Sequence, residues 1–84
     1  MDALSDQGQL ILELERSWWR RRMPKGRLIR ERLGVSSTRY HQMLNSVIDE
    51  PGALAYDPVL VGRLRRLREA RRRVRFGGIR RGEL

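Results

Sequence analysis

Apolar residues recur along this chain at helical spacing, and no segment shows the alternation of a half-buried strand. Leu10, Ile11, Leu14 and Trp18 fall at i, i+1, i+4 and i+8, so they share one face of a first helix. Ser5 or Asp6 serves as its N-cap, and Gly8 weakens its first turn. Glu13 and Glu15 lie early while Arg16, Arg20, Arg21 and Arg22 lie late, an order that suits the helix dipole. Pro24 disfavours helical backbone at Met23, so the helix is predicted to stop there.

Pro24 suits the first turn of a second helix, whose buried side is Leu28, Ile29 and Leu33. Gly34 stands where a helix ends on a left-handed residue, with Val35 as the apolar contact that follows. Ser36 or Ser37 caps a third helix, with Tyr40, Met43, Leu44, Val47 and Ile48 on its inner face. Pro51-Gly52 ends that helix, and residues 53–56 form at most one turn. Asp57-Pro58 is an N-cap and N1 pair opening a fourth helix to about Arg75, where Gly77-Gly78 breaks it. Leu60, Leu64, Leu67 and Val74 form its apolar stripe, at spacings of four, three and seven. The expectation is an all-α fold: a small four-helix domain with a helix-turn-helix-like unit and a long Arg-rich C-terminal helix. The domain spans residues 1–76, and residues 77–84 form a flexible basic tail.

Charge changes the picture most at the C-terminal end. Residues 62–84 hold ten arginines against Glu69 and Glu83, a net +8 of the chain's +9. Before them, nine basic residues nearly balance eight acidic ones. Charge this concentrated calls for a polyanion, and nucleic acid is the abundant one inside a cell. Eighteen of the 19 basic residues are arginine, with Lys25 the exception. Arginine's planar fork matches phosphate and the guanine edge. A GC-rich genome also favours arginine codons, but it does not cluster them. Arg20, Arg21, Arg22, Lys25, Arg27, Arg63, Arg65, Arg66, Arg68, Arg72 and Arg73 are the candidate phosphate contacts.

The stretch from Arg27 to Leu44 has the mechanics of a helix-turn-helix. Ile29 and Leu33 bury the first helix, Gly34 makes the turn, Val35 plugs the gap, and Tyr40, Met43 and Leu44 pack the second helix back. The second helix of such a unit enters the major groove. Its outward residues here are Thr38, Arg39, His41, Gln42 and Asn45. Arginine can pair with guanine, glutamine and asparagine with adenine, and threonine with phosphate or a thymine methyl. Thr38, Arg39, Gln42 and Asn45 are therefore the candidate base-proximal contacts. Arg30, four residues before the turn glycine, is larger than the small residue many such units carry there, and Tyr40 is larger than the usual aliphatic. Two helices joined by a glycine turn, with polar residues merely facing water, would share the same pattern. Trp18 belongs to the apolar face. Trp19 lies about 100° round the helix, where it covers the Arg-rich helix, serves a partner or stacks on a base.

Enzyme chemistry finds no footing. His41 is the one histidine, cysteine is absent, and no paired carboxylates, phosphate-cradling glycine loop or nucleophile signature occurs. No catalytic residue, metal site or cofactor is expected. The segment 77–82 resembles minor-groove arms only in composition. No run approaches the ~20 apolar residues of a membrane span, and the start of the chain lacks the features of a signal peptide. A soluble, intracellular protein is the expectation, with a cytoplasmic and nucleoid location.

As a whole the sequence resembles a family of small, basic actinobacterial proteins defined as a domain of unknown function. The resemblance rests on residues 14–19, on residues 29–36 with Thr38-Arg39-Tyr40, on Leu44-Asn45, and on residues 57–61 leading into residues 63–68. Members are described as nucleoid-associated proteins that bind DNA and affect supercoiling and transcription. The resemblance implies that role here and supplies no contact residues. The expected function is thus a DNA-binding protein of nucleoid-associated or transcription-regulatory type, with shape and charge dominating sequence. Two competitors share the same residues. One is a transcription factor docking on RNA polymerase through the leucine stripe or Trp19. The other is an RNA- or ribosome-binding protein, since arginines also suit A-form backbone. The stripe either closes the monomer's core or pairs with a second copy in a homodimer.

Overall fold

A computed structural model describes the backbone of residues 3–82 and the side chains of residues 3–74. Among the described residues five α-helices follow one another: α1 (Asp6–Ser17), α2 (Lys25–Leu33), α3 (Ser37–Val47), α4 (Pro51–Tyr56) and α5 (Pro58–Gly82). No strand occurs among the described residues, so the all-α expectation holds with one helix more than four. The extra element is α4. Pro51 starts it rather than ending α3, because a missing N–H costs nothing at a first helical position.

The caps explain most boundaries. Ser5 Oγ accepts from Gly8 N at 3.1 Å and opens α1. That helix ends sooner than Pro24 alone implies. Ser17 Oγ donates to the Glu13 carbonyl at 2.8 Å, and Trp19 Nε1 donates to the Arg16 carbonyl at 3.0 Å. With those end carbonyls occupied, the chain tightens into a single 3₁₀ turn, Trp18–Arg20, and Arg21 is extended. Gly34 has φ +70° and its N–H closes α2 on the Arg30 carbonyl at 2.9 Å. Ser36 Oγ accepts from Arg39 N at 3.1 Å and opens α3. Asp57 Oδ1 accepts from Leu60 N at 3.2 Å and opens α5.

One core joins all five helices: Leu4, Ile11, Leu12, Leu14, Leu28, Ile29, Tyr40, Leu44, Val47, Ile48, Ala53, Leu60 and Val61. Leu4, ahead of α1, folds back over buried Gly8. A Cβ at position 8 would lie 2.7 Å from Leu4 Cδ1. Gly8 therefore admits the Leu4 side chain, which the weak-first-turn reading does not anticipate.

Only the first part of α5 belongs to this core. Leu60 and Val61 are buried and Leu64 packs against them, whereas Leu67 is 45% exposed and Val74 72%. At 25 residues α5 is the longest helix, about 37 Å at ~1.5 Å per residue. Its backbone stays helical through Gly77-Gly78 to Gly82, so those glycines do not end it. Each costs roughly 1 kcal/mol relative to alanine, which weakens a helix without compelling a break. The side chains of residues 75–82, among them the arm-like arginines, lie outside the described set, as do residues 1, 2, 83 and 84.

Candidate nucleic-acid interface

The helix, short turn and helix expected between Arg27 and Leu44 are present. Helix α2, a three-residue turn at Gly34, Val35 and Ser36, and helix α3 pack on each other and on α1. Tyr40 explains its own size. It is completely buried, and its hydroxyl reaches across to α1, where it donates to Glu15 Oε2. Glu15 is the one buried charged residue among the described residues, and Lys25 at the start of α2 pairs with the same oxygen at 2.8 Å. The Lys25 ammonium also lies 5.2 Å from the Trp18 ring centre and 5.6 Å from that of Tyr40. Burial pushes the Tyr40 phenol well above its ordinary range, and its bond to the Glu15 carboxylate pushes it further. Glu15, Lys25 and Tyr40 thus pin α1, α2 and α3 together. Glu15 is no dipole partner at a helix start, and Lys25 is held inward against a buried acid, unlike a phosphate contact.

A second set of charges fixes α5. Arg65 Nε donates to the Ile48 carbonyl at 2.6 Å. Arg68 grips Asp49 with both terminal nitrogens, at 2.7 and 3.0 Å, and its Nη1 also reaches the Asn45 carbonyl at 3.3 Å. The Arg68 guanidinium holds the Asp49 carboxyl below the ordinary carboxylate range. Two arginines at the C-terminal end of α3 also complement its dipole. Arg68 Nε is the one buried side-chain polar atom without a partner among the described residues. Arg65 and Arg68 therefore hold the long helix on the body. That anchoring role is additional to the phosphate contact the sequence suggests for these two arginines.

The other candidates face solvent. Thr38, Arg39, Gln42 and Asn45 are exposed on α3, and so is His41. Arg39 Nη1 approaches Gln42 Oε1 at 3.4 Å, and both line a shallow cleft against the start of α1. Arg20, Arg21, Arg22, Arg63, Arg66 and Arg73 are exposed, and none forms an ion pair among the described residues. Arg20 stacks 5.1 Å from the ring centre of Trp19, which is 64% exposed. Arg27 pairs with Glu31 and Arg72 with Glu69, each on an exposed helix surface. Such pairs are weak and exchange readily with solvent or phosphate.

Arg30, Arg32 and Arg71 belong with the free arginines, although pattern reading does not single them out. They are exposed and unpaired among the described residues. Arg32 meets Arg21 at a cleft of about 260 Å³ between α1 and α2, floored by Leu10, Leu14 and Leu28. Glu13 on its rim is already engaged by Arg16 and by the Tyr56 hydroxyl, and the Arg16 bond holds its carboxyl below the ordinary range. Nothing in sequence spacing brings Arg21 and Arg32 together; the loop after Ser17 does.

No group of three or more potential metal ligands occurs among the described residues, and no described helix is long and apolar enough to cross a membrane. Fold and surface together define a small all-helical protein with a helix-turn-helix-like unit and an arginine-rich projecting helix. The chain belongs to a family described as proteins of unknown function, DUF3263, whose model matches residues 3–76. No curated protein and no solved structure matches it.

Proposed function

We propose that this protein binds duplex DNA, as a nucleoid-associated or transcription-regulatory protein, mainly through arginine–phosphate contacts with limited sequence reading. One observation carries the reading. Among the described residues, ion pairs engage Lys25, Arg68 and a few surface arginines, while Arg20, Arg21, Arg22, Arg30, Arg32, Arg63, Arg66, Arg71 and Arg73 are exposed with no acidic partner. Free arginines on the loop after α1, on α2 and on α5 add a field that the protein itself does not neutralise. A polyphosphate backbone neutralises it, with release of counterions. The exposed polar face of α3 supports a secondary contribution at the base edges. The proposed location is the nucleoid.

The test is binding to a mixed-sequence duplex and to a structured RNA of equal length, each over a range of salt. Tighter duplex binding with a steep negative dependence of log affinity on log salt is the expected result. Equal or tighter RNA binding at matched salt would shift the reading to an RNA partner. A shallow slope on both would leave the arginines without a nucleic-acid role.

A further inference from the structure

The outer part of α5 carries an apolar seam that neither the core nor a phosphate backbone uses. Leu60, Leu64, Leu67, Arg71 and Val74 follow the alternating four- and three-residue spacing of a coiled-coil seam. Its first two members close the core. The same stripe then runs past the edge of the body, where Leu67 is 45% exposed and Val74 72%. Leu67, Ala70, Arg71 and Val74 line one shallow apolar groove. Beyond Arg68 no described side chain of α5 bonds to another element; Arg72 reaches only Glu69 on its own helix.

The charge around this groove selects its occupant. Arg71 occupies a seam position itself, and Arg63 flanks the seam at a position equivalent to that of Ala70. Glu69, the acid of this stretch, lies on the far side of the helix and pairs there with Arg72. A second copy would bring an arginine to the seam and further arginines to its flanks, with no acid to meet them. Like charges so placed oppose pairing.

We infer that the Leu67–Val74 face of α5 is a docking surface for an acidic amphipathic helix of a partner protein. Leucine-like side chains would fill the groove, and glutamate or aspartate would flank them to meet Arg63 and Arg71. This mode matches helix-in-groove recognition with i, i+3, i+7 anchors. The face is short, so the contact belongs to the weak, transient class. The apolar side chains of the groove take no part in DNA binding, whereas Arg63 and Arg71 are shared, so an acidic partner and a phosphate backbone compete for those two arginines.

The experiment uses the full chain and two synthetic three-heptad peptides. Both carry glutamate at the flanking positions; one has leucine at the seam positions and the other alanine, so charge and helix propensity stay matched. Fluorescence anisotropy should show the leucine peptide binding at least about tenfold more tightly than the alanine peptide. The L67S/V74S double variant should lose that preference while keeping the salt slope on duplex DNA. Equal affinity for the two peptides would overturn the inference, since the arginines alone would then explain binding. Because that comparison is made on the unaltered protein, it stands even if the double variant folds poorly. Sedimentation of the protein alone should show a monomer. A dimer dispersed by L67S/V74S would assign the face to a second copy instead.

Discussion

Tyr40 on α3 donates its phenolic proton to the carboxylate of Glu15 on α1, across 25 positions of sequence and inside the core. The bond exists only while the phenol is neutral. Burial, and then the Glu15 carboxylate, raise the Tyr40 pKa above its ordinary 10.0. A raised folded value means stability that is fully present below that ordinary value and is lost as pH rises beyond it. Alkaline unfolding is therefore expected to set in above about pH 10. Tyr40→Phe should lower stability near neutral pH by about 1–3 kcal/mol, because Glu15 loses a partner while buried. It should also remove part of the alkaline sensitivity. Thermal unfolding of both proteins at neutral and alkaline pH checks this.

Gly34 occupies the left-handed region at φ +70°, with no neighbouring atom within reach of an added Cβ. The cost of replacing it is therefore conformational rather than steric. Gly34→Val is expected to destabilise the fold by more than ~1 kcal/mol, since a β-branched residue resists positive φ. Gly34→Asn should cost less. An unchanged melting temperature for the valine variant would contradict this account of the turn.

The Asp49–Arg68 pair has the opposite pH signature to that of Tyr40. Its carboxyl is lowered below the ordinary 3.8, chiefly by the bond to Arg68. Its contribution is present above that value and is lost as pH falls through the lowered one. Asp49→Asn should thus be less stable than the wild-type chain at neutral pH, and the difference should shrink in acid. The effect is modest, because the Asp49 side chain is 59% exposed and solvent screens the pair. Arg68→Ala should cost more, about 1–2 kcal/mol, since it also removes the contact to the Asn45 carbonyl and a packed aliphatic stem. Parallel acid titrations by circular dichroism separate the two.

The same pair bears on the choice of arginines for testing DNA binding. Arg65, Arg68 and Arg72 look equivalent in sequence, yet the first two anchor α5 and their removal confounds affinity with stability. Arg63, Arg66 and Arg73 are exposed and free of ion pairs among the described residues. Replacing those three with alanine should leave the melting temperature nearly unchanged. The salt slope should flatten by roughly two to three units, at about 0.9 per phosphate contact. An unaltered slope would remove α5 from the interface.

Arg39 and Gln42 discriminate between clamp and reader. Each should be changed to alanine and measured on several unrelated duplexes at one salt concentration. The expected outcome is a loss that is mostly uniform across sequences, as for phosphate contacts. A loss of about 1–3 kcal/mol confined to particular duplexes would mark base reading. No loss from either variant would exclude α3 from the DNA surface.

What was legible in the sequence was local. Gly34, Ser36 and Asp57-Pro58 set boundaries by their own backbone and capping chemistry, and the structure keeps all three. The inner face of α3 was legible because apolar periodicity marks it. Glu15 was not, since an acid on an amphipathic helix reads as surface unless its distant partners are known. The bond of Lys25 to Glu15 is hidden from the sequence for the same reason. Arg65 and Arg68 differ from Arg63 and Arg66 only by their angle around α5, and that angle acquires meaning once the end of α3 lies against it. Leu4 carries no such signal, because one leucine before a cap has no period. The turn expected at residues 53–56 is the end of α4, and its start at Pro51 is hidden because proline and glycine signal a break and a beginning alike.

The division of α5 into an anchored stretch and a projecting one also bears on how such a protein can change over generations. Between Glu69 and Val74 the described side chains make no hydrogen bond to another element and pack little, so substitutions there are expected to pass the folding filter almost freely. The number of arginines there can rise or fall one codon at a time while the body remains intact. Grip on a polyanion would then be a tunable trait, set separately from the architecture that presents it.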